Sequence, residues 1–367
     1  MILHRYILSQ VLWPILAAFL SLNLLFLMVQ LLKVGELAAG AGIGFEDIFI
    51  ISGLSLPLYS IFTIPISVLT GVLLGFGRMA SDRELVAFAG AGIPSSRLML
   101  MPVLLGLLAS LMSGVIVSFW LPIAASSLQR NLIGLTKRNL AASLDPGVFY
   151  EEIPGVVLYP NKKGPNNHTW NGFLIYEWRM GTVPYLLVTQ KAKVRPARSR
   201  NVLEFHVEKG QVHSRDGKTS IYSIVAFDRG MIGIDVDRLI QRSARFVPPT
   251  ECMSFSKLIA GSKDPNLSSR ERRLYRLAWH RRIGFSAAGV LFAFLGTALG
   301  ATGKLRGRRR VLLGAVTVVS CYYLLIRLGD AAVQNEVLNP VLSAWMPDVL
   351  VAGVAFWWMR RRRRMIG

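Results

Sequence analysis

The chain has 367 residues, of which 52% are hydrophobic and 17% are charged. An average soluble domain carries about 25% charged residues, so this composition excludes an ordinary soluble domain, and its hydrophobicity excludes a disordered chain. Lys and Arg number 42 against 21 Asp and Glu, a net charge of +21. A basic, apolar chain of this length is typical of an integral membrane protein beside anionic headgroups or an anionic substrate. Nucleic acid is not expected as a partner, because the basic residues flank apolar segments.

Six apolar segments are long enough to cross a bilayer, which takes about 20 residues. They cover residues 7–32, 48–76, 98–123, 283–302, 311–330 and 345–359. The first has about twice the length of a signal-peptide core, so we expect a retained anchor rather than a cleaved leader. Pro57 and Pro65 predict a kink in the second segment.

Lys and Arg in short loops predict the orientation in the membrane. They are concentrated at the N-terminus, at the C-terminus and in the loops at 77–97 and 303–310, whereas the opposite short loops contain Lys33 alone. Both termini are therefore predicted to be cytoplasmic, and the 3+3 arrangement of spans places residues 124–282 outside. Arg281 and Arg282 belong to an unusual arginine cluster at the outer end of span four, which favours anionic headgroups or a phosphate-bearing substrate.

The segment between spans three and four has the pattern of a β domain. Leu203, Phe205 and Val207 alternate with polar residues, and Asp216-Gly217 has the composition of a hairpin turn. Several short strands at this spacing predict an antiparallel sandwich, jelly roll or open barrel. We thus expect three segments: 1–129 with three helices, 130–275 as the β domain, and 276–367 with three more helices. The histidine spacing matches no metal motif, and Cys252 and Cys321 are expected to be free thiols.

The loop after span two predicts a short helix at about 81–92. Ser81 and Glu84 have capping-box spacing, Leu85 and Phe88 share a helical face, and Gly90 begins a Gly and Pro stop signal. Such a helix either lies among headgroups or presents its apolar face to a cytoplasmic partner. The acidic residues near its start favour the partner.

Two further observations concern energy and polar residues in the spans. No nucleotide-binding motif is present, because the run at 300–305 lacks the spacing of a P-loop, so energy for transport must come from another subunit or an ion gradient. Arg327 and Asp330 have the spacing of an intrahelical pair, and Asn23 and Gln30 share a face that predicts bonds to a neighbouring helix.

Three stretches of the chain resemble the LptF/LptG permease family, the membrane subunits of the lipopolysaccharide export ABC transporter. They are the end of span two with its loop (residues 73–94), Trp279-His280-Arg281-Arg282, and residues 322–348. Pro94 stands where the family usually has Ser, and Gly284-Phe285 stands where it usually has Pro. Leu144 to Phe149 is more similar to LptF than to LptG.

The resemblance implies two permeases side by side around a lipid-sized cavity, with two copies of the LptB ATPase docked on the coupling helices. The partner ATPase would bind ATP, and no cofactor is expected in this chain. The β domain would be a jelly roll that passes lipopolysaccharide to periplasmic bridge proteins of the LptC and LptA type. The chain would lie in the inner membrane of a Gram-negative cell.

The resemblance also implies roles for individual residues. ATPase coupling is expected from Ser81, Asp82, Arg83, Glu84, Leu85 and Phe88. Lys33 stands where the family places cations for lipid A phosphates, and further candidates for that role are Arg281, Arg282 and Arg327. The strand face formed by Leu203, Phe205 and Val207 is a candidate path for acyl chains, with an ordinary packed core as the alternative.

Other functional classes fit the sequence less well. A permease that transmits force without moving lipid usually has four spans and a large external domain after the first. An enzyme acting on membrane lipids would need an acid, base or metal constellation at membrane depth, and the sequence has none that can be recognised. We therefore expect a transport subunit and not an enzyme.

Overall fold

The computed structural model describes residues 2–38, 45–142, 144–153, 155–164, 169–178, 184–196, 202–215, 222–235, 248–301 and 308–366. The helices in chain order are α1 (Ile2–Ala38), α2 (Phe45–Ser81), α3 (Glu84–Gly90), α4 (Ser95–Val115), α5 (Leu121–Ala142), α6 (Phe255–Gly261), α7 (Ser269–Gly300), α8 (Arg308–Gln334) and α9 (Pro340–Ile366). A π-helical turn at Ile116–Trp120 joins α4 to α5.

Six of the described helical segments are long and apolar enough to cross a membrane. We call them spans one to six; they are Ile2–Leu32, Phe45–Ser81, Ser95–Leu132, Ser269–Gly300, Arg309–Gln334 and Pro340–Arg360. All six predicted spans are confirmed. Most helices extend beyond the predicted apolar runs because polar residues continue the helix past the apolar stretch.

A six-stranded antiparallel sheet lies between spans three and four in the sequence. Its strands are β1 (Tyr150–Ile153), β2 (Val156–Lys163), β3 (Thr169–Glu177), β4 (Tyr185–Pro196), β5 (Val202–Arg215) and β6 (Tyr222–Asp235). The predicted class, a helical membrane protein with an inserted β domain, is confirmed. The described strands pair in sequence order, so none of them makes the crossover between sheets that a jelly roll contains.

Two strand predictions differ in detail from the structure. In the sequence, residues 222–227 and 231–235 have the patterns of two separate short strands, whereas the structure joins them in the single long strand β6, which pairs with β5 along its whole length. Strand β1 was not predicted, because four residues are too few for a periodic pattern. The predicted turn at Asp216-Gly217 lies outside the described residues.

The chain forms two compact units. The helical unit contains Met1–Gln30, Ser52–Ser126 and Thr250–Gly367, and the second unit contains Leu31–Ile51 and Ser127–Pro249. The domain boundaries expected at 129/130 and 275/276 divide the sequence differently and stay a prediction.

Close helix packing in the helical unit depends on small residues. A Cβ atom added at Gly106 of α4 would lie 2.6 Å from Ala293 Cβ and 2.9 Å from the Gly289 carbonyl oxygen of α7. Ser110 on the same face of α4 accepts a hydrogen bond from the Val290 amide at 2.9 Å. Small residues at such spacing allow two helix backbones to approach closely in a membrane.

The predicted hydrogen bonds from span one are confirmed. Asn23 Nδ2 lies 3.0 Å from Thr63 Oγ1 on α2, and the Tyr59 hydroxyl donates to Gln30 Oε1 at 2.7 Å. Both bonds join span one to span two. In an apolar environment such bonds stabilise a helix pair by about 1 kcal/mol each.

Candidate functional site

The chain reverses direction between α2 and α3. Ser81 is the last residue of α2, and its hydroxyl donates to the Gly77 carbonyl oxygen at 2.9 Å. Arg83 caps α3 in the left-handed conformation, with φ of 58°, and no side chain completes the cap. The capping box predicted from Ser81 and Glu84 is therefore wrong, because the Ser81 hydroxyl is used within the preceding helix. The predicted stop is confirmed, since α3 ends at Gly90.

Glu84 binds span one through a hydrogen bond that the sequence did not predict. The Tyr6 hydroxyl lies 2.8 Å from each carboxylate oxygen of Glu84 and donates to that carboxylate. Tyr6 belongs to the first turns of α1, so this contact joins residues 78 positions apart. Nothing in the local sequence distinguishes Tyr6 from the tyrosines that simply pack within an apolar helix, so its bond to Glu84 could not be predicted.

The apolar side of α3 packs on the helical unit. Leu85 is only 7% exposed and belongs to a cluster with Ile7 and Val11 of α1 and Met79 of α2. Phe88 packs against the same cluster and is half-buried. Helix α3 is therefore held against the ends of spans one and two by both a polar and an apolar contact.

The opposite side of α3 and the turn before it are open. Asp82 and Arg83 are exposed, and Asp82 lies 3.7 Å from Arg78 in an exposed ion pair. Val86 is 69% exposed, which the sequence did not single out because Val86 lies off the predicted apolar face. The structure thus brings the predicted coupling residues together in one segment but divides them: Leu85 and Phe88 point inward, and Asp82 and Arg83 outward.

The arginines proposed as phosphate ligands are engaged within the chain. Arg281 Nη1 lies 2.8 Å from Asp330 Oδ1, and Arg282 is 6% exposed. Arg282 Nη2 donates to the carbonyl oxygens of Thr250 and Glu251 at 2.9 and 3.2 Å. These two arginines therefore join helices and a loop of the helical unit, although Arg281 Nε and Arg282 Nη1 are buried without a hydrogen-bond partner among the described residues.

The other two proposed phosphate ligands do not join that pair. Arg327 is exposed, and the expected ion pair with Asp330 does not form, because Asp330 binds Arg281 instead. Lys33 lies in α1, and its side chain is outside the described part of the structure. The described contacts therefore do not bring these four residues together into one phosphate site.

A buried carboxylate lies against Gly284. Asp348 is 4% exposed and accepts a hydrogen bond from the Tyr322 hydroxyl at 2.9 Å. A Cβ atom at position 284 would lie 2.7 Å from Asp348 Oδ2. Glycine therefore makes room for the carboxylate where α7 and α9 meet.

The β sheet has a filled apolar face. Phe205 and Val207 of β5 are fully buried in a cluster with Trp170 and Phe173 of β3. The Leu203 backbone pairs with Pro196 and Ile234, and its side chain lies outside the described part. The acyl-path residues that can be placed thus lie together in one packed cluster.

The described residues offer no site for a metal ion. Within them, no three His, Cys, Asp or Glu side chains are close enough to hold a metal ion. Cys252 and Cys321 form no disulfide with any described residue. Burial raises the pKa of the Cys252 thiol, and the nearby Glu251 raises it further.

The chain is similar to a known family of membrane proteins. A family model described as lipopolysaccharide export system permease LptF/LptG matches residues 5–361. No curated protein matches the chain. The match covers both the spans and the inserted sheet, without separating LptF from LptG. The chain therefore belongs to the LptF/LptG family of lipopolysaccharide export permeases, which are multi-pass inner-membrane transport subunits.

Proposed function

We propose that this chain is one of two permeases that extract lipopolysaccharide from the inner membrane, driven by a separate ATPase dimer of the LptB type. The second permease would be an LptF or LptG chain, and the lipid would leave through the β domain toward LptC- and LptA-type bridge proteins. Both termini would lie in the cytoplasm and the β domain in the periplasm. ATP would be bound by the partner alone.

The observation that carries this proposal is the double attachment of α3. Its outward side is available to a cytoplasmic protein, while Glu84 and Leu85 fix its inward side to span one. A carboxylate has about four lone-pair directions, so Glu84 has acceptor capacity left for a cation of the ATPase while Tyr6 is bound. A displacement of α3 by the ATPase would then move the cytoplasmic end of span one.

The energetics of the substrate require an external energy source. Each acyl CH₂ group that leaves the bilayer costs about 0.8 kcal/mol, so one long chain costs several kcal/mol. A pathway for such chains needs apolar surface, which the cluster around Phe205 and Val207 would supply if the sheet opened along it. Leu203 would extend that surface, and Lys33 would meet the lipid phosphates.

Arg281, Arg282 and Arg327 take different parts in this proposal. Arg327 is exposed and remains a candidate for direct phosphate contact. Arg281 and Arg282 would need to exchange internal partners for a phosphate, which costs the hydrogen bonds that they now make. We therefore expect Arg281 and Arg282 to act on the lipid only if the spans rearrange.

The proposal is tested by co-purification from detergent with the ATPase, followed by ATP-dependent release of lipopolysaccharide from vesicles that contain both permeases. Glu84→Ala and Phe88→Ala are compared with the wild type. Glu46→Ala is a matched control, because Glu46 is an exposed glutamate at the opposite end of α2.

We expect the wild type and the control to bind the ATPase and release lipid, and the two α3 variants to lose binding or release by about tenfold. A wild-type chain that binds no ATPase would overturn the proposal. Such a result would favour a lipid-modifying enzyme, whereas binding without any lipid release would favour a permease that only transmits force.

A further inference from the structure

A basic cleft lies between α6 and the first turns of α7. It has a volume of about 310 Å³, and its lining consists of Ser262, Lys263, Ser269, Arg272, Arg273 and Arg276. Four of the six lining residues are cations and the other two are serines. We call it the arginine cleft.

The cations of the arginine cleft lack the compensation that the neighbouring arginines have. Arg281 binds a carboxylate, and Arg282 binds two carbonyl oxygens. In contrast, Lys263, Arg272 and Arg276 form no ion pair with any described residue. Like charges that share one cleft repel each other unless an anion lies among them.

The acidic residues nearest in sequence are held elsewhere. Glu271 Oε2 accepts hydrogen bonds from the Ser268 amide and hydroxyl in a capping box, at 3.1 and 2.7 Å. Asp264 Oδ1 accepts a hydrogen bond from the Asn266 amide at 2.9 Å. Neither carboxylate lines the cleft, so neither balances the positive charge of the cations there.

One arginine of the cleft is anchored within the chain, and the two helices beside the cleft pack directly on each other. Arg273 Nη2 donates to the Leu338 carbonyl oxygen at 2.8 Å, which anchors one arginine to the segment before α9. Gly261 allows the Tyr275 ring to pack directly on the end of α6, because a Cβ atom there would lie 2.8 Å from Tyr275 Cε2. Leu258 of α6 is fully buried. A preformed site loses less conformational entropy on binding.

The end of the arginine cleft nearest to the membrane, at Arg276, lies within side-chain reach of the lipid headgroups. The apolar part of this span begins at Ile283, seven residues after Arg276. At about 1.5 Å per residue, Arg276 lies about 10 Å from the start of the apolar part. The headgroup layer is about 5–7 Å thick on each side of the hydrocarbon, and an arginine side chain extends over several ångströms.

From the uncompensated charge, the anchored arginine and the reach of Arg276 to the headgroups, we propose that the arginine cleft binds the phosphate-bearing headgroup of a lipid. Guanidinium groups form paired hydrogen bonds with phosphate oxygens, and two or more of them around one cleft favour a phosphate over a carboxylate. The phosphate belongs either to an anionic phospholipid of the bilayer or to lipopolysaccharide. Only the second source rests on the proposed transport function.

The test measures lipid retained by the purified full-length chain in phosphatidylcholine nanodiscs that contain either phosphatidylglycerol or lipopolysaccharide. The Arg272→Gln/Arg276→Gln variant is compared with Arg270→Gln/Arg309→Gln, which removes the same charge from exposed positions outside the cleft. Arg272→Lys/Arg276→Lys keeps the charge but removes the paired hydrogen bonds. Thermal unfolding of each variant verifies that it is folded.

We expect the Gln variant of the cleft to lose about tenfold in apparent affinity, the Lys variant to lose less, and the control to match the wild type. If the cleft variant loses affinity for phosphatidylglycerol alone, the ligand is a bilayer phospholipid. If it loses affinity for lipopolysaccharide alone, the ligand is the glycolipid. Loss of affinity for both lipids means that the cleft recognises the phosphate that they share. A folded cleft variant that retains both lipids as well as the control does would overturn the proposal. Because the assay contains neither ATP nor an ATPase, failure of the transport proposal does not change its outcome.

Discussion

Spans one and two are both apolar helices but have opposite surroundings. Span one is the more hydrophobic of the two, yet only 6% of its most apolar stretch is buried within the chain, against 67% in span two. The buried surface of span two contains Gly71, Gly75, Thr63 and Ser67, whereas the exposed surface of span one is rich in leucine. In a membrane, therefore, small and weakly polar residues indicate the interior of the protein better than hydrophobicity does.

The strongest disruption of this pattern is expected at the contact of α4 and α7. Gly106→Leu would drive a side chain into the Ala293 side chain and the Gly289 backbone, where neither helix has space to move. Overpacking costs about 1–3 kcal/mol or more, and contact with backbone atoms places this change at the upper end. We expect little monodisperse protein by size-exclusion chromatography.

Gly53→Leu is the matched control for that substitution. Gly53 lies in the same kind of helix but has no atom within 4 Å of an added Cβ. A Gly53 variant that is lost to the same extent as the Gly106 variant would contradict the packing interpretation, since helix propensity alone would then account for both.

A smaller effect is expected from trimming leucines in the two spans. Leu73 of span two is fully buried, so Leu73→Ala should lower the free energy of unfolding by about 2–5 kcal/mol. Leu24 of span one is 70% exposed, and Leu24→Ala in the isolated chain should cost well under half as much. Thermal unfolding in detergent measures both. Equal losses would mean that hydrophobicity and not burial decides stability.

The smallest expected effect is a pH dependence at Glu251, which lies outside the spans. Burial raises the pKa of Glu251, while the charges of Arg282 and Arg327 oppose that rise. The folded state thus holds this proton more tightly than the unfolded state. The resulting stability is present below the unfolded pKa of about 4.3 and is lost as the pH rises through the folded pKa.

Glu251→Gln should therefore unfold at a higher temperature than the wild type near neutral pH, and the difference should disappear toward the unfolded pKa. One kcal/mol shifts the unfolding temperature of a protein of about 150–250 residues by about 2–4 °C, so this chain of 367 residues should shift by less. A variant that is less stable near neutral pH would mean that the attraction to Arg282 outweighs the burial.

The sequence predicted the spans and the sheet because both depend on local periodicity. Long apolar runs marked the helices, and alternation at Leu203, Phe205 and Val207 marked β5. The Glu84 contact with Tyr6 and the Arg281 contact with Asp330 were not predicted, because they join residues far apart in the chain. The Ser81 capping box failed for a related reason: its spacing is a local signal, but where α2 ends depends on tertiary packing.

The arginines show the same limit. Their number at the start of span four was evident from the sequence, and Arg281 and Arg282 were chosen for their place beside the apolar run. Whether an arginine has internal partners depends on Asp330 and on the loop at Thr250, which only the fold brings close. Lys263 was missed because it reaches the arginine cleft from the turn that follows α6.

The central claim is that α3 transmits ATP-driven movement to span one. The most direct test measures how much lipopolysaccharide is released per ATP hydrolysed in vesicles that contain the chain, its partner permease and the ATPase. Tyr6→Phe removes the bond to Glu84, and Tyr59→Phe removes a different bond between spans one and two as a control. We predict that Tyr6→Phe retains ATPase binding and hydrolysis but releases several-fold less lipid per ATP, whereas Tyr59→Phe stays near the wild type. Equal release per ATP in the wild type and Tyr6→Phe would contradict the account.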